Sequence, residues 1–363
     1  MFKYGTDRLE TGKAIAILKG DLSAHISEES RKKISASHKI VLETSKGNQA
    51  VYGINTGFGP LCDTIISKEN TSELQRKLLL SHSVGVGDPI DPELAKLMLI
   101  LKVHSLSKGY SGISLEVLDR ILWHIDQDII PVVPEQGSVG ASGDLAPLAH
   151  LFLPLIGEGE VFVEGKITDT SSVLASKGLK PIELHPKAGL ALINGTQFIL
   201  AHAVRAVDQL HNCLAHADII GSLMIEGLMG SQMPFHAELH KTRPHKGNAH
   251  VAARLRTFLM DSEIGKSHEF CGKVQDPYSL RCMPQVHGSS RAAWLHLKES
   301  VETELNSVTD NPVIIDENLI ISGGSFHGQP LALPLDYACL AAAELGSISD
   351  RRTYLSLEGK YAG

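Results

Sequence analysis

Apolar residues recur at helical spacing along most of the chain. Residues 91–107 (DPELAKLMLILKVHSLS) begin with a proline- and acid-rich first turn and then run apolar, which predicts a helix that packs into a core. Residues 114–127 repeat the pattern. From Asn194 to Met229 no proline intervenes, and Ala, Leu, Ile and His leave almost every side apolar. A helix of that kind is buried, either in a bundle or between subunits. Residues 289–308 and 331–358 predict two more long helices. Two alternating stretches, EVFVEGKIT at 160–168 and NPVIIDENLIISGG at 311–324, predict hairpins too short to found a sheet. The expected fold is all-α: a long helix bundle over residues 191–363 behind a loop-rich part over residues 1–190, or one domain throughout.

Composition narrows the class. The 363 residues are 43% hydrophobic and 21% charged, enough for a large core. A net charge of -7 disfavours a nucleic-acid partner. The long apolar stretches carry Asp, His, Asn or Glu, so no membrane span is expected, and MFKYGTDRLETGKA lacks the apolar region of a secretory signal. Five scattered cysteines without a CxxC pair read as reduced, cytoplasmic thiols. No complete GxGxxG or GxxxxGK[ST] occurs, so no nucleotide loop is expected. His236 and His240 stand at i,i+4, but the order HxExH and the nearby Pro244 favour a polar loop, and no metal is expected. His202, His211 and His216 on the long helix read as satisfied core or interface residues.

The connecting loops are glycine-rich and polar, where function concentrates on rigid scaffolds. In GSVGASGDLAPL (137–148), Ala141-Ser142-Gly143-Asp144 reads by itself as a capped helix start. In its context it resembles the aromatic amino acid ammonia-lyase family. In that family an Ala-Ser-Gly triplet cyclises with loss of two waters to give 4-methylidene-imidazole-5-one (MIO). The residue types suit that chemistry. Gly143 nitrogen must attack the Ala141 carbonyl, which a bare Cα permits, and Ser142 must lose its hydroxyl. YGINTGFG, LSHSVGVG, ALINGTQ, QDPYSLRCMPQVHG, TDNP and GGSFHGQP resemble the same family, in the same order and across nearly the whole chain.

The resemblance implies a fumarase/aspartase-like helical fold, a homotetramer with active sites shared between subunits, and elimination of ammonia from an α-amino acid. Its cofactor would be MIO formed from Ala141, Ser142 and Gly143, with no metal. By the same resemblance Tyr52 is the base for the β-proton, and Asp144 assists cyclisation or orients the precursor. Asn194 contacts the electrophile and the substrate carboxylate. Gln275, Tyr278 and Phe326 line the prosthetic ring, and Arg281 pairs with the substrate carboxylate, a task suited to a planar guanidinium. Ser81-His82 resembles the histidine-acting members, so His82 would exchange a hydrogen bond with a substrate imidazole. The implied reaction is L-histidine to trans-urocanate. Tyrosine- or phenylalanine-acting lyases, an aminomutase, a lyase lacking the prosthetic group and an inactive fragment stand as alternatives. Family members continue well past YLSLEGKYAG, so the bundle is expected to be incomplete and to lack a glutamate close to the substrate amine.

Overall fold

The computed structural model describes residues 1–59, 63–66, 68–140, 143–267, 269 and 272–359. Its helices are α1 (Thr11–Leu18), α2 (Glu28–Thr44), α3 (Lys68–His82), α4 (Pro92–Leu106), α5 (Leu115–Asp126), α6 (Leu145–Phe152), α7 (Thr170–Ser176), α8 (Ala188–Ile193), α9 (Gln197–Gly227), α10 (Ala237–Thr242), α11 (Lys246–Phe258), α12 (Glu263–Ser267), α13 (Tyr278–Arg281), α14 (Met283–Glu304) and α15 (Gln329–Leu357). Strands among the described residues span at most four residues each, so the fold is all-α, as its sequence pattern predicts. The chain forms two compact units: residues 1–204 with 301–332, and residues 205–300 with 333–363.

The first unit is built around α4. Asp91 caps this helix by accepting from the Glu93 amide, Pro92 opens it, and nearly every later residue is buried. The segment has no polar stripe, so only a central position satisfies it. Lys102 and His104 are buried with it. The helices α3, α6 and α8 pack on one another. Both predicted hairpins form, at Glu160–Val163 with Lys166–Asp169 and at Val313–Asp316 with Leu319–Ile321. A further antiparallel pair joins Val86–Pro89 to Pro134–Gln136. A buried ion pair, Lys187 with Asp310 at 2.7 Å, is completed by hydrogen bonds to Ser111.

The second unit packs Ile225, Leu228, Phe235, Leu255, Met283 and Ile348 into one core. Asp218, Ser222 and Ile225 turn the inner face of α9 toward it at helical spacing, and Asp218 accepts from His287, Arg254 and Arg291. The sequence predicts a helix buried in a bundle or between subunits; within this chain Ile219, Ile220 and Leu223 are exposed. One face of this stretch packs and the other does not. His202, His211 and His216 are likewise exposed within this chain, which excludes the core alternative of the core-or-interface reading. They are engaged locally, His211 against Trp294 and His216 with the Asn212 carbonyl. Residues 188–227 and 329–357 have the length and apolarity to cross a bilayer. The first is mostly buried, as a core helix is, and the second holds Asp336 and Glu344, charges that are costly in hydrocarbon.

Candidate active site

Residues 137–144 run from a short strand into α6, and one carboxylate organises their described part. Ser138 Oγ donates to Asp144 Oδ1 at 2.7 Å, and the Gly140 amide donates to Ser138 Oγ at 3.0 Å. The Gly143 amide returns to the Gly140 carbonyl at 2.9 Å, drawing together the residues on either side of positions 141 and 142. Ala141 and Ser142 themselves lie outside the described residues. Gly143 has φ +106°, a conformation that favours glycine, and a β-carbon there would stand 3.3 Å from the Phe326 carbonyl oxygen.

Asp144 precedes α6 but does not cap it. Its Oδ2 accepts from the Phe198 and Ile199 amides, each at 3.0 Å, in the first turn of α9. Its own amide donates to the Gly195 carbonyl at 3.2 Å. The carboxyl is fully buried, and burial pushes it up to about 6 against the opposing hydrogen bonds from Ser138 and the two amides. Asn194 ends α8 in an extended conformation. It is buried, and its Oδ1 has no hydrogen-bond partner among the described residues. Gly143, Asp144, Asn194-Gly195 and Phe326 therefore converge at one place.

Tyr52 lies half-buried in the turn 51–55, edge-on to Phe58 with ring centroids 6.3 Å apart. Asn55 shapes this turn by accepting from the Val51 amide at 2.8 Å. The following Gly53 lies directly against Leu190 of α8. His82 is the last residue of α3, and its Nδ1 lies 2.9 Å from the Leu78 carbonyl oxygen. A carbonyl only accepts, so Nδ1 donates, and in the Nδ1–H tautomer Nε2 is the ring's acceptor. The strand after His82 pairs with the strand that leads into the triplet loop. Tyr52 and His82 thus sit on segments that pack onto the elements holding Asp144 and Asn194.

The remaining predicted residues belong to the second unit. Gln275 and Arg281 line a cavity of that unit, and Arg281 Nε donates to the Asp276 carbonyl at 2.8 Å. Its guanidinium lies 4.5 Å from the ring centroid of Tyr278, which is exposed. The structure brings Gln275, Tyr278 and Arg281 to one another.

The match to a family model for aromatic amino acid lyases runs over residues 9–363. The chain belongs to the aromatic amino acid lyase family. It is 45% identical over 347 residues to a histidine ammonia-lyase of Myxococcus xanthus, covering 95% of this chain and 68% of that protein. It is 43% identical to the human histidine ammonia-lyase, covering 95% of this chain and 54% of the relative. Among solved structures, a tyrosine aminomutase from Streptomyces globisporus superposes with a TM-score of 0.91 at 32% identity, over 99% of this chain and 72% of that one. A histidine ammonia-lyase from Trypanosoma cruzi gives 0.86 at 38% identity, over 97% and 66%. The helical fold is that of the fumarase-like lyases.

Within this lyase chain, sequence reasoning missed Lys102, Ser138 and Gly195 around the triplet loop. Lys102 left one signal: a lone lysine inside the apolar run LMLILKVHSL. Ser138 and Gly195 left none beyond lying in glycine-rich loops.

Proposed function

We propose that this lyase chain carries the chemistry of a histidine ammonia-lyase, eliminating ammonia from L-histidine to give trans-urocanate. The observation that carries the reading is the His82 ring, whose Nδ1 is committed to the Leu78 carbonyl. Its Nε2 is left to accept from a substrate imidazole N–H, which a phenyl ring cannot offer. Relatives named histidine ammonia-lyase at 43–45% identity support it.

The residues present fit an MIO group formed from Ala141, Ser142 and Gly143. The left-handed Gly143 conformation, the Gly140–Gly143 hydrogen bond and the orphaned Asn194 Oδ1 are what such a group needs beside it. Asp144, Asn194 and Phe326 would hold it. When present, the group supplies an electrophile that makes the substrate amine a better leaving group. Tyr52 removes the β-proton as general base, the C–H electrons form the double bond, and the amine departs with the C–N pair. With sites shared between subunits, Asn194 of one chain and Arg281 of another, through its planar fork, would take the substrate carboxylate, and Gln275 and Tyr278 would line the group. The working assembly is a cytoplasmic homotetramer with shared sites.

The test combines intact mass with absorbance assays on L-histidine, L-tyrosine and L-phenylalanine. The expected result is a chain two waters lighter than its sequence that forms urocanate fastest. A full-mass chain without turnover, or faster cinnamate or coumarate formation, overturns the reading.

A further inference from the structure

Lys102 is a buried charged group in this neighbourhood that neither the family resemblance nor the proposed reaction uses. It sits in the middle of α4, 1% exposed, with its Nζ 2.8 Å from the Asn194 main-chain oxygen and 3.4 Å from Gln197 Oε1. No carboxylate lies within ion-pair distance of it among the described residues. Gln197 is held in turn by donating Nε2–H to Thr309 Oγ1 at 2.8 Å. The three side chains form a polar floor under Gly195. A β-carbon on Gly195 would come 2.3 Å from Gln197 Oε1 and 3.2 Å from both Lys102 Nζ and Thr309 Oγ1. Gly195 has φ +152°, so this turn admits no side chain on either count.

The turn is thereby gripped from two sides. Asp144 takes the Gly195 carbonyl and the first amides of α9, while Lys102 takes the Asn194 carbonyl from beneath. Between the grips the Asn194 side chain holds a buried oxygen with no hydrogen-bond partner among the described residues. A buried lysine is expensive unless something in the fold requires it. Most of α4 before it is apolar, so packing at this position alone would be met by Met or Leu.

We propose that Lys102 is a positioning residue for the lyase reaction, fixing the Asn194-Gly195 turn through the Asn194 carbonyl so that the Asn194 side chain is presented to the reacting groups. The proposal rests on the reading of Asn194 given above. Charged groups that act on Lys102 are Asp310, Lys187 and Asp144, all on neighbouring elements of the same unit. Burial pushes the amine down to about 7, and an amine and an ammonium can each donate the same hydrogen bond.

The test compares the wild-type chain with Lys102→Met, which keeps the length and removes the donor, and Lys102→Arg, which keeps a donor. The Met variant is expected to lose at least tenfold in kcat with KM within threefold. Amide exchange in peptides covering 194–199 should be at least tenfold faster. Lys102→Arg should recover kcat to within about threefold of wild type. Unchanged kcat and exchange in the Met variant, with only a lowered melting temperature, overturn the proposal. If the Met variant is insoluble, the Arg variant decides: near-wild-type kcat supports the positioning role, and a 100-fold loss overturns it. Insolubility of both variants also overturns it, because it assigns Lys102 to the core. A wild-type chain that makes no urocanate sinks the histidine reading, and the exchange comparison still decides Lys102.

Discussion

A neutral imidazole offers one donor and one acceptor, and His82 has committed its donor to its own helix. In the proposed reading, specificity rests on a single acceptor, Nε2. His82→Phe should lower kcat/KM for L-histidine by roughly 10²–10⁴-fold, because the substrate N–H would be buried without a partner. Because His82 is half-buried at a helix end, the melting temperature should move little. Steady-state kinetics on histidine and phenylalanine check this, and a loss below tenfold would mean His82 does not touch the substrate. Asn194 makes the complementary case. Its Oδ1 has no partner among the described residues, so truncation removes an unsatisfied acceptor and little native bonding. Asn194→Ala should cost less than about 1 kcal/mol in stability yet at least ~10²-fold in kcat. Thermal unfolding and turnover of the same preparation separate the two effects.

Elements here are tied together by residues far apart in sequence, and Asp144 is the clearest instance. It stands at the start of α6 but satisfies the amides of Phe198 and Ile199 at the start of α9. Asp144→Ala should therefore fray α9 rather than α6, lowering stability by about 2 kcal/mol, and Asp144→Asn by about half of that. Hydrogen exchange should rise at 197–201 and not at 145–152. Equal exchange gains in both helices would contradict the cross-capping. The sequence pattern foretold α4 and α5 to within a residue or so, because each carries a cap and an apolar run in local sequence. The Glu164-Gly165 hairpin was equally plain, since that dipeptide supplies the two positive φ values its turn uses. For α9 the pattern indicates a start near Asn194, whereas the helix begins at Gln197. Nothing in the local sequence reveals that the cap of α9 arrives from residue 144. Helix α14 begins at Met283, before its expected start, because Pro284 falls in the first turn, where no amide is needed. The proposed site residues all lie in motifs the sequence displays. Lys102 was not legible in this way, because its role depends on a carbonyl 92 residues away.

At the scale of the whole molecule, buried titratable groups make stability depend on pH, and their signs oppose. His104 Nδ1 accepts from the Gly5 amide, so a proton there would set one donor against another. Burial, with the Lys108 charge second, holds His104 down at about 4. His124 donates Nδ1–H to the Ile129 carbonyl and is likewise held at about 4 by burial. For both, the unfolded chain binds a proton below about 6.5 that the folded chain refuses, so stability falls as pH drops from there toward 4. Asp144 acts the other way. Its folded carboxyl, at about 6, takes a proton before the unfolded one does, which adds stability as pH falls from 6 toward the ordinary aspartate range near 4. Lys102, at about 7, destabilises the fold at neutral pH by an amount that no longer changes below 7. Two histidines outweigh one aspartate, for a net loss on the order of 2–3 kcal/mol between pH 7 and pH 5. Denaturant midpoints at pH 7.5, 6 and 5 should fall steadily. Exchange should quicken first in peptides covering α4 and α5, where the two histidines sit. Asp144→Asn removes the opposing group and should steepen the fall, whereas a midpoint constant from pH 7.5 to 5 would show that these rings are hydrated rather than buried.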